Sequence, residues 1–306
     1  MFTFAKAAAE GLVDADDAPG RPSPRPSRPG SSASLERVSF SFAGDVPAIA
    51  EASLHVEAGE LVCLVGPSGS GKSTILNLIA GLLTPTSGRV LEGGVPIVGP
   101  GPERAVVFQD AALFPWLSLR DNVEYPLKVA GMPKKERRDR SEQLLRTVHL
   151  WRFQDSYPHQ LSGGMRQRGA IARALATDPA VLLMDEPFAA LDAQTREILH
   201  GELERIWLET RKTIVFVTHN VREAVRLADR IVLMGTRPGR ILRDVVIELP
   251  RPREMNDERV AWFAADVAGE IRSEVEKIAK EEADDAWVAP GTRVRVDPRR
   301  NLGGGI

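Results

Sequence analysis

Two glycines, a lysine and a serine stand at a fixed spacing in GPSGSGKST, the stretch from Gly66 to Thr74. In this pattern the glycines let backbone N–H groups converge on phosphate, the lysine bridges the β and γ phosphates, and the serine hydroxyl binds Mg²⁺. The alternative is an ordinary glycine turn, which the flanking strand and helix patterns disfavour. We therefore predict that nucleotide phosphates bind a loop made of Gly66, Pro67, Ser68, Gly69, Ser70, Gly71, Lys72, Ser73 and Thr74.

Two adjacent acids follow an apolar run in VLLMDEP, where Asp185 and Glu186 stand at the exit of a predicted buried strand. Parallel strands end at one edge of a sheet, so we expect this edge to be that of the phosphate loop. Asp185 would then hold Mg²⁺, usually through water, and Glu186 would polarise the attacking water. The alternative is that the two acids only cap the segment after them.

A histidine and a glutamine follow two further predicted strands. His219 comes after TIVFVT, and Gln109 ends AVVFQ. A lone histidine is more often structural. The predicted strand before His219, however, should end at the same edge, where we expect the histidine to contact the γ-phosphate and fix the water and Glu186. The Gln109 amide would touch Mg²⁺ and the water, which makes it a candidate relay to the region that follows.

The elements that position these residues alternate between strands and helices. LVCLVG reads as a buried strand that feeds the phosphate loop, and STILNLIAGLL has helical spacing directly after it. Later strands alternate with helices, which predicts an α/β fold with a mainly parallel core sheet. The stretch from Asp110 to Thr177 is mostly helical in pattern and predicts an inserted lobe.

The two ends of the chain have a different composition. Residues 1–34 include a Pro, Ser, Gly and Arg-rich segment and predict an extended, mobile leader. Residues 254–306 predict an appended helix, from about Asp257 to Glu282, and a loose tail. On that helix one side carries Val260, Phe263, Val267, Ile271, Val275 and Ile278.

Composition restricts the class of protein. The 306 residues carry a net charge of −2, which argues against a general nucleic-acid binder, and 43% are hydrophobic, as in ordinary globular chains. The single cysteine, Cys63, cannot form an internal disulfide, so we expect a buried strand residue. The sequence contains no apolar run of the ~20 residues that span a bilayer, which predicts a cytosolic protein.

A further glycine segment, LSGGMRQR, begins at Leu161 and resembles the signature motif of the nucleotide-binding subunits of ABC transporters. Gln109 is similar to the family's Q-loop, ALDAQTR (Ala190 to Arg196) to its D-loop and His219 to its switch histidine, while GPSGSGKST and VLLMDEP resemble its Walker A and Walker B motifs. All six occur in family order within about residues 35–253. The joint occurrence of these motifs is highly specific.

This resemblance implies a P-loop cassette with an antiparallel β subdomain and an inserted helical subdomain at about residues 110–177. It implies ATP and Mg²⁺ as ligands, with Phe42 stacked on adenine; we expect Phe40 on the other face of its strand. It also implies a head-to-tail dimer of two copies. In that dimer the γ-phosphate held by one subunit is covered by the other subunit's Ser162, Gly163 and Gly164.

The resemblance further implies a separate transmembrane permease as partner, indirectly an extracytoplasmic solute-binding protein, and a peripheral position on the cytoplasmic face of the membrane. The cluster from Phe114 to Leu117 lies where relatives receive the permease, although its aromatic side chains are also candidates for lobe core. The stretches from Pro102 to Val123 and from Met234 to Arg253 together resemble the importer branch for nitrate, sulfonates and taurine. Related branches serve thiamine-precursor pyrimidines and bicarbonate, so the resemblance leaves the solute open.

Two other classes remain open at this stage. One is a soluble, non-transport relative acting on nucleic acid or ribosomes, which usually carries a long coiled-coil insertion or two cassettes in one chain. The other is an unrelated P-loop kinase or GTPase, which would leave LSGGMRQR and His219 unexplained. A non-catalytic binding module is disfavoured by the presence of Glu186.

Overall fold

The structure is a computed structural model that describes residues 28–42, 47–189, 191–236 and 238–285. Its strands are β1 (Ala33–Ser41), β2 (Pro47–Val56), β3 (Leu61–Val65), β4 (Ser87–Glu92), β5 (Val95–Pro96), β6 (Arg104–Val107), β7 (Val181–Asp185), β8 (Thr213–Thr218), β9 (Arg230–Gly235) and β10 (Arg240–Val246). Its α-helices are α1 (Lys72–Ala80), α2 (Leu119–Val129), α3 (Lys134–Thr147), α4 (Gly163–Ala176), α5 (Ala193–Thr210), α6 (Val221–Leu227) and α7 (Glu258–Asp285).

The central sheet has six strands in the order β10-β9-β3-β8-β7-β6. Strands β9, β3, β8, β7 and β6 are parallel, and β10 joins the edge antiparallel to β9. A second sheet, of four antiparallel strands, has the order β2-β1-β4-β5. This confirms the predicted α/β cassette, with its mainly parallel core and antiparallel subdomain. The carboxyl ends of β3, β7 and β8 therefore meet at one edge.

Alternation along β3 separates two hydrophobic cores. Leu61, Cys63 and Val65 pack into the core that also holds α2 to α7, whereas Val62 and Leu64 pack into the core with α1 and the antiparallel sheet. Successive strand residues point to opposite faces of a sheet, so the two cores cover its two faces. Helices α1 and α4 thus pack on opposite faces. Cys63 is fully buried, as the sequence predicted.

The insertion between β6 and β7 contains α2, α3, two short 3₁₀ turns and α4. Asn122, buried on α2, holds the segment before that helix: its Oδ1 accepts from the backbone N–H of Phe114 at 2.8 Å, and its amide donates to the carbonyls of Phe114 and Leu117. Leu119, Val123 and other apolar residues of the insertion are buried in the first core. The lobe is therefore joined to the sheet mainly through α4, which contacts β6 and also packs against α2 and α3.

At the amino-terminal end, residues 1–27 of the predicted leader lie outside the described residues. From Arg28 the chain is already attached to the core, because its N–H donates to Asp178 at 2.7 Å and its carbonyl accepts from Lys212 Nζ at 2.7 Å. Ala33 and Ser34, at the start of β1, pair with residues of β2. The folded part thus begins before the predicted boundary at residue 34.

At the carboxyl-terminal end, α7 covers the side of the sheet that carries α6. The buried guanidinium of Arg253 donates to the carbonyls of Val225 and Leu249, among others, which fixes the entry to the helix. Val260, Ala264 and Val267 are buried at the spacing of one helical face. The predicted face also included Val275 and Ile278, whose side chains lie outside those described. Within the described residues, none of the helices is both long and apolar enough to cross a membrane.

Candidate functional site

The segment from Gly66 to Gly71 connects β3 to α1, and its glycines are required by geometry. A Cβ on Gly66 would stand 2.4 Å from the carbonyl oxygen of Met234 in β9, which no side chain tolerates. Gly69 and Gly71 have φ of +79° and +84°, in the left-handed region that glycine enters without strain. The backbone therefore turns tightly at the amino terminus of α1, where helix N–H groups favour anions.

Lys72 is the first residue of α1, and its side chain folds back over the loop. Its Nζ donates to the carbonyls of Gly66 and Pro67, each at 2.9 Å, and it is 7% exposed. Burial lowers the pKa of Lys72, while Glu186 and Asp185 oppose that shift through their charge. The ammonium group is thus held inside the loop, with two carboxylates close enough to act on it.

Ser73 and Asp185 bring two oxygen ligands together from different elements. The Ser73 hydroxyl donates to Oδ1 of Asp185, the last residue of β7, at 3.1 Å. Burial raises the pKa of Asp185, whereas the hydrogen bond from Ser73 and the charge of Lys72 lower it. A hydroxyl and a partly desolvated carboxylate are the kind of oxygen pair that Mg²⁺ accepts beside phosphates.

Glu186 and His219 form the second pair at this edge. His219 Nδ1 lies 2.8 Å from Glu186 Oε2, so the ring N–H donates to the carboxylate. Glu186 has φ of +43°, a conformation that few non-glycine residues adopt, and its N–H donates to the carbonyl of Val217 in β8 at 3.0 Å. The unusual backbone turns this acid out of the strand direction and toward the histidine.

Phe42 lies just beyond the end of β1 and is 60% exposed, with its ring available to a flat ligand. The expectation that Phe40 lies on the other face is wrong: the two rings contact each other edge to face, with centroids 4.9 Å apart. Residues two apart in a strand share a face. Phe40, 8% exposed, packs into the second core and supports Phe42 from behind.

Gln109 and Ser162 are not joined to this group. Strand β6 ends at Val107, two residues before the predicted strand end, and Gln109 is exposed. Ser162 is also exposed and caps α4, accepting from the N–H of Met165 at 3.3 Å. In the described part of the chain, neither residue hydrogen-bonds to Lys72 or to the acids of the sheet edge.

Gly163 and Gly164 open α4, and the second of them is tightly packed. A Cβ on Gly164 would stand 2.4 Å from the Thr195 side chain on α5, whereas Gly163 has more room. The D-loop segment includes residue 190, which lies outside the described residues. Its Asp192 caps α5 by accepting from the N–H of Thr195 at 2.9 Å. The start of α4, which carries the signature residues, therefore contacts the D-loop segment within one chain.

The aromatic cluster after Gln109 has one packed member and one exposed member. Phe114 is half-buried, with its ring 4.9 Å from that of Tyr125 and 5.5 Å from that of Trp116. Trp116 is 70% exposed. The two interpretations of the sequence therefore apply to different residues: Phe114 belongs to the lobe, and Trp116 presents its ring to solvent.

A buried polar group lies beneath His219 and was not predicted from the sequence. His200 on α5 and Glu223 on α6 hydrogen-bond to each other, and Glu223 also accepts from the Thr218 hydroxyl. The feature of the sequence that could have indicated Glu223 is its position in the first turn of the helix that follows His219. His200 gave no signal, because its partner is distant in the sequence.

Comparison with known proteins places this architecture in a family. Residues 49–189 match the family model described as ABC transporter. The chain is 50% identical over 225 residues to the nitrate import ATP-binding protein NrtD of Synechocystis, covering 74% of this chain and 85% of the relative. It is 47% identical over 248 residues to the taurine import ATP-binding protein TauB of Chromobacterium violaceum, covering 81% and 92%.

A solved structure agrees with these relatives. An ATP-binding cassette, determined as a dimer in a post-hydrolysis state with ADP and phosphate, superposes with a TM-score of 0.63 at 35% identity. The match covers 71% of this chain and all of the other. The family match includes the phosphate loop and the Asp185–Glu186 pair of the sheet edge, whereas His219 lies beyond its last matched residue. The chain belongs to the ABC transporter family and is one of its ATP-binding, ATP-hydrolysing cassettes.

Proposed function

We propose that this chain is the ATP-hydrolysing subunit of an importer for a small solute such as nitrate, a sulfonate or taurine, working through a separate transmembrane permease. The observation that carries this proposal is the sheet edge where Lys72, the Ser73–Asp185 pair and the Glu186–His219 pair converge. The branch is supported by relatives of 47 to 50% identity that are named as nitrate and taurine import ATP-binding proteins. These names do not favour a non-transport ATPase.

ATP would bind with its phosphates on the loop from Gly66 to Thr74. The ammonium of Lys72, which now contacts only loop oxygens, would turn to the β and γ phosphates, since they are stronger acceptors than carbonyls. The exposed ring of Phe42 would stack on the adenine. These contacts bind the nucleotide at one chain.

Mg²⁺ fits the oxygen ligands at this edge. We assign it to Ser73 and Asp185, which lie 3.1 Å apart, with the Gln109 side-chain amide as a further ligand. When bound, the metal neutralises charge that develops on the phosphates. Gln109 is exposed, so it would have to approach the site once nucleotide binds.

Hydrolysis requires an oriented water and a base. Glu186 would accept a proton from that water, because it directly follows Asp185 at the sheet edge. His219 donates to the same carboxylate and so fixes the direction in which its free oxygen points. The histidine, 66% exposed, keeps its other nitrogen available to the γ-phosphate.

A second copy of the chain would complete the site. Ser162 opens α4, which packs on the opposite face of the sheet from α1, so it is badly placed to cover the phosphates of its own loop. In a head-to-tail dimer, Ser162, Gly163 and Gly164 would instead cover ATP held by the other copy. ATP then favours the closed dimer, and hydrolysis removes that preference.

The closing motion would be delivered to the permease at the cytoplasmic face of the membrane. Trp116, exposed beside the rigidly held Phe114 segment, offers an apolar contact to a permease helix. An extracytoplasmic solute-binding protein would deliver the solute to that permease.

Copurification tests the proposal. The chain, expressed with the membrane proteins of its own cell, should be recovered with a permease, and its ATPase rate should rise when the matching solute and binding protein are present. Recovery without a membrane partner, under conditions in which it hydrolyses ATP, would contradict the importer assignment. The same measurement with nitrate, sulfonates and taurine identifies the solute.

A further inference from the structure

The buried pair of His200 and Glu223 lies between α5 and α6. His200 is 0% exposed and Glu223 5%, and Nε2 of the ring lies 2.6 Å from Oε1 of the carboxylate. The ring N–H therefore donates to the acid. A buried carboxylate is costly unless its oxygens are hydrogen-bonded, so the positions of both side chains are tightly linked.

Glu223 connects this pair to the segment that carries His219. Its second oxygen accepts from the hydroxyl of Thr218, the residue just before His219. The same hydroxyl accepts from the N–H of Asn220, just after the histidine, at 3.0 Å. Asn220 in turn caps α6, since its side chain accepts from the N–H of Glu223 at 3.3 Å. Both neighbours of His219 are thus held through Glu223.

The pair also contacts the segment that carries Glu186. Phe188, two residues after Glu186 and 1% exposed, places its ring against that of His200, with centroids 5.5 Å apart. A small cavity of about 30 Å³ is lined by Glu186, His219 and Glu223, among others, and has room for a water. Both members of the Glu186–His219 pair therefore rest on the same buried support.

Few other polar contacts orient the His200 ring. Within the described residues its Nδ1 has no hydrogen-bond partner, and the nearest acid, Glu197, is 3.9 Å away. Glu197 is half exposed and also contacts Arg226 at 3.3 Å. The bond to Glu223 is therefore the main polar restraint on the ring.

We propose that His200 and Glu223 are positioning residues for ATP hydrolysis, holding the Thr218–Asn220 backbone so that His219 stays hydrogen-bonded to Glu186. This rests on the proposed function, because it assigns a purpose to the Glu186–His219 contact. His200 is not a catalytic residue, since it is fully buried and separated from the edge by Glu223 and Thr218. It acts on turnover through the histidine that follows β8.

The test compares His200→Leu, which fills the space but cannot donate, with His200→Gln, whose amide can still donate to Glu223. His149→Leu is the matched control, because His149 is an exposed histidine that contacts Glu202 on the same helix α5. Each purified full-length protein is assayed for kcat and KM for ATP. The chain has five histidines, so the ring signals of ¹⁵N-histidine-labelled protein can be assigned and that of His219 followed.

We expect His200→Leu to lower kcat about 10- to 100-fold with little change in KM, because small misplacements of reacting groups have effects of this size. The His219 ring signals should move toward those of an exposed, unrestrained histidine. His200→Gln should stay within roughly threefold of the parent, since it keeps the donor. His149→Leu should match the parent in both measurements.

Three results would overturn the proposal: a kcat for His200→Leu equal to that of the control, a loss confined to KM, or a glutamine variant no better than leucine. If His200→Leu fails to fold, Thr218→Val removes the hydroxyl at nearly constant volume and must give the same loss of kcat. If the parent protein itself does not hydrolyse ATP, the proposed function fails, and the His219 ring signals alone then decide whether His200 and Glu223 position that histidine.

Discussion

The edge that carries Lys72 and the end that carries Ser162 differ in how complete they are. At the sheet edge each of these side chains already has a hydrogen-bond partner: Lys72 contacts the loop carbonyls, Ser73 contacts Asp185, and His219 contacts Glu186. At the start of α4 Ser162 is exposed, and among the residues that the structure describes its hydroxyl bonds only to its own helix, accepting from the N–H of Met165. One region is assembled within the chain, and the other presents donors outward.

Two regions with similar anion-binding chemistry therefore need different numbers of chains to complete a site. The sheet edge draws on β3, β7 and β8, which are neighbouring strands of one sheet and need no other molecule to meet. The signature residues sit at the start of α4, on the opposite face from α1. Their helix N–H groups can bind an anion, but the phosphate loop of their own chain leads into α1 on the other face of the sheet.

The largest expected effect concerns the assembled edge. Glu186→Gln removes the proposed base but keeps the shape of the side chain, so ATP should bind normally while kcat falls about 10²- to 10⁴-fold, the usual contribution of a general base. The loss is measured by steady-state phosphate release, and size-exclusion chromatography with ATP should show an accumulated dimer. An unchanged kcat would remove Glu186 from that role and leave the edge without an identified base.

A smaller effect is expected at the signature end. Ser162→Asp keeps a side chain that can cap α4, but its carboxylate would face the partner's γ-phosphate. ATP binding by the monomer should be unchanged, whereas ATP-dependent dimerisation should weaken roughly 100-fold, because like charges facing each other across an interface cost several kcal/mol. Fluorescent ATP titration and light scattering separate the two readouts.

The control for this variant is Ser118→Asp, since Ser118 caps α2 in the same manner by accepting from the N–H of Asp121. It should dimerise like the parent. If Ser162→Asp instead abolished ATP binding by the monomer, Ser162 would belong to its own chain's site and the distinction between the two regions would disappear.

The smallest effect is expected at Phe42, which extends the assembled edge to the adenine. Phe42→Ala should raise KM for ATP about 5- to 10-fold, near the lower end of the 1 to 3 kcal/mol that aromatic stacking on a base provides. Phe42→Tyr keeps the ring face and should be close to the parent. A KM for the alanine variant equal to that of the tyrosine variant would exclude stacking on this ring.

Much of the assembled edge could be predicted from sequence. Continuous apolar runs in VLLMD and TIVFVT identify buried parallel strands, and such strands end at a common edge, so the residues after them were expected to meet there. The phosphate loop could also be predicted, because glycines at this spacing let backbone N–H groups converge on a phosphate. The chemical roles assigned to these residues remain predictions.

Other features could not be read from the pattern. The antiparallel edge strand β10 has a mixed burial pattern without a continuous apolar run, and β6 ends earlier than its apolar residues indicated. The His200–Glu223 bond depends on how α5 and α6 pack, which no local spacing specifies. The prediction that Phe40 and Phe42 lie on opposite faces of the strand was wrong, because residues two apart in a strand share a face.

Mixing two inactive variants tests whether Lys72 of one chain and Ser162 of another act on the same ATP. In a head-to-tail dimer of Lys72→Ala with Ser162→Asp, one composite site carries both changes and the other carries neither. We expect each variant alone to be nearly inactive and an equimolar mixture to regain ATPase activity, up to about a quarter of the parent rate if half of the dimers are mixed and one of their two sites works. A mixture as inactive as its components would contradict this prediction, because Lys72 and Ser162 would then have to act within one chain.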